Sequence, residues 1–354
     1  MTTITYGIHQ DQPFRESQET AYEFITNSTK RFVCLSSPTG SGKSIIGFES
    51  IPSPFFYLAS SIHLEHQLIH DFPKASLLKG RSNYSCDMFE SADLCIITPP
   101  CDDCAYAEAK DAALMNKHSI LNFHYYLYAS NFAGFSAKDE GMRNVIIDEA
   151  DDLENILTGF ISFVFSMKQM KYLNVAQYPP DKKTVIDSFV KWMKPIGNRL
   201  RDQIVNIADQ VVEIKNKLKN HVGLSSDDMR TLRREKRLSS VAWKVDFLNK
   251  QDLTDGNWVY YNQSNRLKPE YNNIILKPKW LTRDLSDTFL FDHGKRFLFM
   301  SATLPPKPVF CGLYGFDSSE VDYLELDHPF KIENRRVVYR PRFSLIKREL
   351  DKEG

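Results

Sequence analysis

The stretch SPTGSGKS at positions 37–44 decides how the rest of the chain is read. It follows an apolar run, RFVCLSS (31–37), and leads into SIIGFES, which reads as the start of a helix. Glycines at 40 and 42 let backbone N–H groups turn inward around phosphate oxygens, and the helix start adds its partial positive charge. Thr39, Gly40, Ser41, Gly42, Lys43 and Ser44 then form a phosphate cradle. Lys43 reaches the outer phosphates, and the Ser44 hydroxyl is available to Mg²⁺. The full pattern G-x-x-x-x-G-K-[ST] asks for glycine at 37, where this chain has Ser37. A plain Gly-Ser turn is the alternative, and Lys-Ser directly after a strand argues against it.

A phosphate cradle needs a carboxylate on a nearby strand. VIIDEAD (145–151) supplies one, with Asp148 placed to orient the metal and Glu149 to act as general base on water. A fourth apolar run, RFLFMSATL (296–304), ends in Ser301 and Thr303, whose hydroxyls suit either helix capping or a relay. With FFYLAS (55–60) these runs alternate with helical patterns, so the expected fold is α/β, a parallel sheet covered on both faces.

Composition sets the bounds. At 354 residues the chain is long enough for two or three domains, and its net charge is zero. That zero is uneven: residues 1–150 hold 11 Lys+Arg against 18 Asp+Glu, which leaves 34 against 27 for the remainder. A basic surface is therefore local, and a polyanionic partner stays open. No apolar run reaches the roughly 18 residues of a membrane span, and the start MTTITYGIHQDQPFRES lacks a signal-peptide pattern. The expected location is cytoplasmic or nuclear, not secreted.

Two segments interrupt the α/β pattern. In the first, Cys86, Cys95, Cys101 and Cys104 fall within nineteen positions. Four thiolates suit a [4Fe–4S] cluster or structural zinc. Only Cys101 and Cys104 form a zinc-type C-x-x-C knuckle, so the irregular spacing favours the cluster, with zinc or no metal as alternatives. Cys95 lies in the apolar run LCIITPP, where a buried thiol is the plain reading. In the second segment, Ile196, Leu200, Ile204, Ile207, Val211, Ile214 and Leu218 mark one face of a long helix, with Pro195 expected in its first turn. A second helix is expected from about Asp227, carrying the basic string RTLRREKR (230–237), and the two form a hairpin.

TGSGKS, DEAD and SAT, in that order and each at a strand end, resemble motifs I, II and III of superfamily 2 helicases. GRSNYSC (80–86), CAYAEAK (104–110), NFHYYLYAS (122–130), LFMSATL, DHPF (327–330) and ENRR (333–336) narrow the resemblance to the XPD/DinG family. The resemblance implies a RecA-like domain over 1–84, 118–152 and 285–345, an iron–sulphur insertion over 85–117, and a mainly helical arch over 153–284. It makes Cys86 and Cys104 the outer cluster ligands and Gln18, within FRESQ (14–18), an adenine reader. Asp151, Ser301 and Thr303 become coupling residues, although the family usually has histidine where Asp151 stands. YLASSIHLEHQ (57–67) sits where motif Ia meets DNA.

The implied activity is that of an ATP-dependent 5′→3′ DNA helicase acting on single-stranded or forked DNA, with ATP, Mg²⁺ and the cluster as cofactors. Motifs IV–VI have no counterpart in 337–354, so this stretch is expected to be the first motor half, weakly active alone, with a second RecA-like domain absent and needed in cis or in trans. Two rivals stand beside this: a non-motor DNA-binding or regulatory protein, and a simple NTPase or kinase. The retained Lys43, Asp148 and Glu149 argue against the first, and the SAT motif argues against the second.

Overall fold

The computed structural model describes residues 2–86, 92, 95, 103–132, 135, 142–174, 186–220, 222–253, 255–263 and 273–327. Its strands are β1 (Phe32–Ser36), β2 (Phe55–Ala59), β3 (Ser76–Leu78), β4 (His118–Asn122), β5 (Arg143–Asp148), β6 (Phe163–Ser166), β7 (Trp258–Gln263), β8 (Asn273–Pro278), β9 (Gly294–Ser301) and β10 (Val321–Glu325). The helices before the arch segment are α1 (Glu16–Asn27), α2 (Lys43–Ser50), α3 (Ile62–Asp71), α4 (Ala105–Met115) and α5 (Phe123–Phe132). They are followed by α6 (Leu153–Ile161), α7 (Met167–Tyr172), α8 (Ile186–Lys219), α9 (Ser226–Leu248), α10 (Arg283–Phe289) and α11 (Lys307–Tyr314).

Seven strands form one sheet in the order β10-β1-β9-β5-β2-β4-β3, every neighbouring pair parallel. β1 and β2 are buried along their whole length, which is why they read as unbroken apolar runs rather than alternating ones. Alternate side chains feed two cores. Val33, Leu35, Phe55 and Tyr57 pack with Ile46, Phe48 and Leu68 under α2 and α3. Phe32, Cys34, Phe56 and Leu58 face the other way, into a core that continues through Tyr126, Leu157, Phe163 and Val245. The described residues of 153–284 thus share a hydrophobic core with the sheet.

Within that segment α8 and α9 pack as the expected hairpin. α9 starts at an N-cap, Ser225, whose hydroxyl accepts the Asp228 N–H while the Asp228 carboxylate accepts the Ser225 N–H. Two features differ from expectation. α8 begins at Ile186, so Pro195 lies inside the helix rather than in its first turn. Proline has no N–H to donate back along the helix, but Phe189 and Met193 are fully buried before it and Ile196 after it, and that burial carries the helix through. The segment also holds a three-stranded antiparallel sheet, β6-β8-β7. β8 alternates buried and half-buried side chains, a two-residue period that a search for helical spacing passes over.

One buried cation ties α4 to the sheet. Arg143, at the start of β5, donates to the carbonyls of Ala113, Leu114 and Asn116 at the end of α4. Its guanidinium lies 4.8 Å from the Phe56 ring centroid. Helix C-termini leave carbonyls without intrahelical donors, and this side chain supplies them.

Candidate nucleotide site

The parallel register brings the carboxyl ends of β1, β9 and β5 side by side, with Ser36 opposite Ser301 and Asp148 opposite Met300. Open parallel sheets bind ligands at that edge, where the strand order reverses. The phosphate loop leaves β1 there and enters α2 at Lys43. Gly40 and Gly42 have φ of 81° and 90°, the left-handed region that side-chain-bearing residues avoid. Ser37 needs no such φ, which is why serine is accommodated. It is fully buried, its N–H donates to the Ser301 carbonyl at 2.9 Å, and its hydroxyl bonds that of Ser41 at 2.6 Å. Lys43 Nζ donates to the Ser37 carbonyl at 3.3 Å, folded back over the loop.

Gln18 is buried against this loop. Its Nε2 donates to the Ser41 carbonyl at 3.0 Å, its Oε1 accepts the Arg15 N–H at 3.0 Å, and Arg15 Nη1 donates to the Gly40 carbonyl at 3.2 Å. Both ends of the amide are engaged, so the residue expected to read adenine braces the loop in this structure.

Asp148 is 5 % exposed, and its Oδ2 accepts the hydroxyl of the fully buried Tyr57 at 2.7 Å. Tyr57 thus anchors the carboxylate expected to hold Mg²⁺. Burial pushes the Asp148 carboxyl up, and the Tyr57 hydroxyl and the Lys43 charge draw it back only in part. Glu149 follows with φ of 52°, a left-handed conformation for a residue with a Cβ. Strain of this kind persists where the surroundings over-determine it, and it clusters at functional sites. Burial, then the neighbouring Asp148 charge, raises the Glu149 carboxyl.

Asp151 joins the third motif to the second. Its Oδ1 accepts the Ser301 hydroxyl at 2.7 Å and its Oδ2 the Thr303 hydroxyl at 2.6 Å. Ser301 is also 3.4 Å from Glu149 Oε2. Partial burial pushes Asp151 up, but the Thr303 and Ser301 hydroxyls outweigh it and hold the carboxyl below its ordinary value. Tyr57 is the site residue that the sequence reading missed. Its signal was a tyrosine in the middle of a fully apolar strand, since a buried phenol must find a partner.

The donor set fits a Mg²⁺–nucleotide: the Ser44 hydroxyl at the start of α2 and the buried Asp148 carboxylate, with Lys43 and a loop holding two left-handed glycines. The thiols give no such test. Cys95 is buried, Cys86 and Cys104 are half-buried, and Cys101 lies outside the described residues. Among the described residues no three metal-ligating side chains come together. DHPF beyond Asp327 and all of ENRR also lie outside them.

The seven-stranded parallel sheet and the helices that cover it define an α/β core of the RecA-like type. The fold is that of XPD helicases. Over 88 % of its length the chain superposes on a solved structure described as "XPD_Helicase", with a TM-score of 0.50 and 15 % identity, and it spans 62 % of that protein's length. A structure described as "Truncated XPD" is covered over 99 % of its own length, at a TM-score of 0.48 and 15 % identity. No family model and no curated protein matches the chain. No helix among the described residues is long and apolar enough to cross a membrane.

Proposed function

We propose that this chain is the first motor half of an XPD/DinG-like ATP-dependent DNA helicase. The observation that carries the reading is Asp151, which gathers the Ser301 and Thr303 hydroxyls next to Glu149. A site that only stored a nucleotide would not need the end of β9 wired to the acids of β5.

In this reading Thr39 to Ser44 cradle the phosphates, and Lys43 swings from the Ser37 carbonyl to the outer phosphate oxygens. Bound Mg²⁺ would supply charge neutralisation on the phosphates, held by Ser44 and Asp148. Tyr57 fixes the rotamer of Asp148, and Glu149 accepts the proton of the attacking water. Asp151 passes any shift of this region to Ser301, Thr303 and the end of β9, and so to the face where α3 and the loop after β3 would meet a single strand. The charges that complete the site from across the cleft would come from a second RecA-like domain, in cis or in trans, with translocation 5′→3′ on single-stranded or forked DNA. Residues 85–117 would form the cysteine-bound insertion, with a [4Fe–4S] cluster on Cys86, Cys95, Cys101 and Cys104 or zinc as the alternative, and residues 153–284 the arch. A cytoplasmic or nuclear location suits reduced thiols.

The test is Mg²⁺-dependent binding of a fluorescent ATP analogue to the chain, followed by ATP hydrolysis with and without single-stranded DNA once a second motor domain is supplied. Binding that Lys43→Ala abolishes, and hydrolysis that DNA stimulates and Glu149→Gln removes, are expected. Hydrolysis indifferent to DNA would leave a simple NTPase. Iron and zinc analysis of anaerobically purified protein tests the cysteines, and a metal-free, folded protein would end the cluster reading.

A further inference from the structure

Away from the nucleotide site, a cleft of about 560 Å³ opens between α3, the loop after β3, α4 and α5, with α9 on its far side. Glu65, in the first turn of α3, lines it and is 1 % exposed. Among the described residues, neither of its carboxylate oxygens accepts a hydrogen bond of normal geometry. Buried carboxylates are nearly always paired, and an aliphatic side chain would serve packing better at this position. Lys79 and the Asn122 amide lie close enough to draw on it without pairing with it. The Lys79 ammonium is instead 2.8 Å from His66 Nε2.

The walls are aromatic. The Tyr106 and Tyr125 hydroxyls bond each other at 2.7 Å, so neither stands as a free donor. Tyr128 is 53 % exposed beside them. Arg81 lies 4.8 Å from the Tyr106 ring centroid and donates to the Cys95 carbonyl, while its buried Nε has no partner. Flat walls above an acceptor pair complement a flat ligand with two adjacent N–H donors on one edge.

Resting on the single-strand reading above, we infer that this cleft is a guanine-selective base pocket, with the Glu65 carboxylate accepting the N1–H and 2-amino group of one unstacked guanine. An ionised carboxylate is acceptor-only and takes paired donors. Guanine alone among the DNA bases presents two donors side by side on its pairing edge. Adenine and cytosine present a donor next to an acceptor, and thymine a donor flanked by two acceptors. Stacking on the tyrosines holds any base, so selectivity comes from Glu65.

The test is fluorescence anisotropy with the full chain and four labelled single strands: all-dT, and the same strand with one central dG, deoxyinosine or dA. The dG strand is expected to bind about tenfold tighter than all-dT, in line with a bidentate base contact. Deoxyinosine, which lacks the 2-amino group, should lose most of that gain, and dA should show none. In Glu65→Gln the dG-to-dT affinity ratio should fall to about one, since an amide offers one acceptor and one donor. The inosine comparison uses the unaltered protein and stands even if the variant fails to fold. Equal affinity for all four strands, or inosine binding as well as dG, overturns the pocket and leaves the single-strand reading intact. No binding to any strand overturns both.

Discussion

The hydroxyl of Tyr57 is the sharpest point at which stability and the proposed nucleotide site meet, and Tyr57→Phe isolates it. The ring stays, so its packing against Phe48, at 5.3 Å between centroids, is kept and no cavity forms. What is lost is one hydrogen bond, 2.7 Å long, from a fully buried donor to a carboxylate that is 5 % exposed. Hydrogen bonds to charged groups contribute about 1.5–3 kcal/mol, and with Oδ1 of Asp148 still accepting the Glu149 N–H at 3.1 Å the middle of that range applies, about 2 kcal/mol. A double-mutant cycle of Tyr57→Phe with Asp148→Asn, read by urea denaturation, should return a coupling of about that size, because the two groups touch and share no other strong partner. The same variant should require severalfold more Mg²⁺ to half-saturate binding of a fluorescent ATP analogue, since the Asp148 carboxylate loses the hydroxyl that holds it. A coupling below about 0.5 kcal/mol, the level at which independent sites already scatter, would refute the structural link. An unchanged Mg²⁺ requirement would refute its part in metal binding.

Three further outcomes follow from single residues. Gly42→Ala places a Cβ at φ of 90°, where it meets Gln18 Nε2 at 2.2 Å. A left-handed residue costs about 1–2 kcal/mol before that collision is counted, so nucleotide binding should be lost while Gly312→Ala, where nothing lies within 4 Å, leaves binding intact. Arg143→Leu removes the donor for three carbonyls at the end of α4 and should destabilise by about 3 kcal/mol, seen as faster amide exchange in residues 105–116 than in β5. Glu65→Gln should be more stable than the parent at neutral pH. Burial raises the folded-state carboxyl above its unfolded value of 4.5, so ionisation opposes folding, and that penalty appears as pH rises through the folded value and vanishes below 4.5. The stability difference should therefore shrink as pH falls towards 4.5 in paired denaturation curves.

The elements visible in the sequence were those with a local signature. β1, β2, β5 and β9 are continuous apolar runs because both faces of a parallel strand are covered, and the phosphate loop shows itself through glycines whose φ no other residue adopts cheaply. The α8–α9 hairpin was legible from its spacing, but its start was not, because a proline that usually opens a helix is carried inside this one by long-range burial. β3, with three residues, and β10, with one fully buried position, are too short or too exposed to stand out.

The residue types of the site, Lys43, Ser44, Asp148, Glu149, Ser301 and Thr303, were determined by the sequence alone, since phosphate, metal and proton chemistry admit few substitutes. Which groups touch was decided only by the tertiary structure. Asp151 reaches Ser301 across 150 positions because β5 and β9 are neighbours in the sheet, and Tyr57 reaches Asp148 across 91 because β2 flanks β5 on the other side. Glu65 shows the same division. As a letter it is an ordinary helix acid, and only the seating of α3 on β2, β3 and β4 removes its water and leaves a carboxylate without a partner at the wall of a cleft. Strand order is set by burial summed over the whole chain, and no local pattern encodes it.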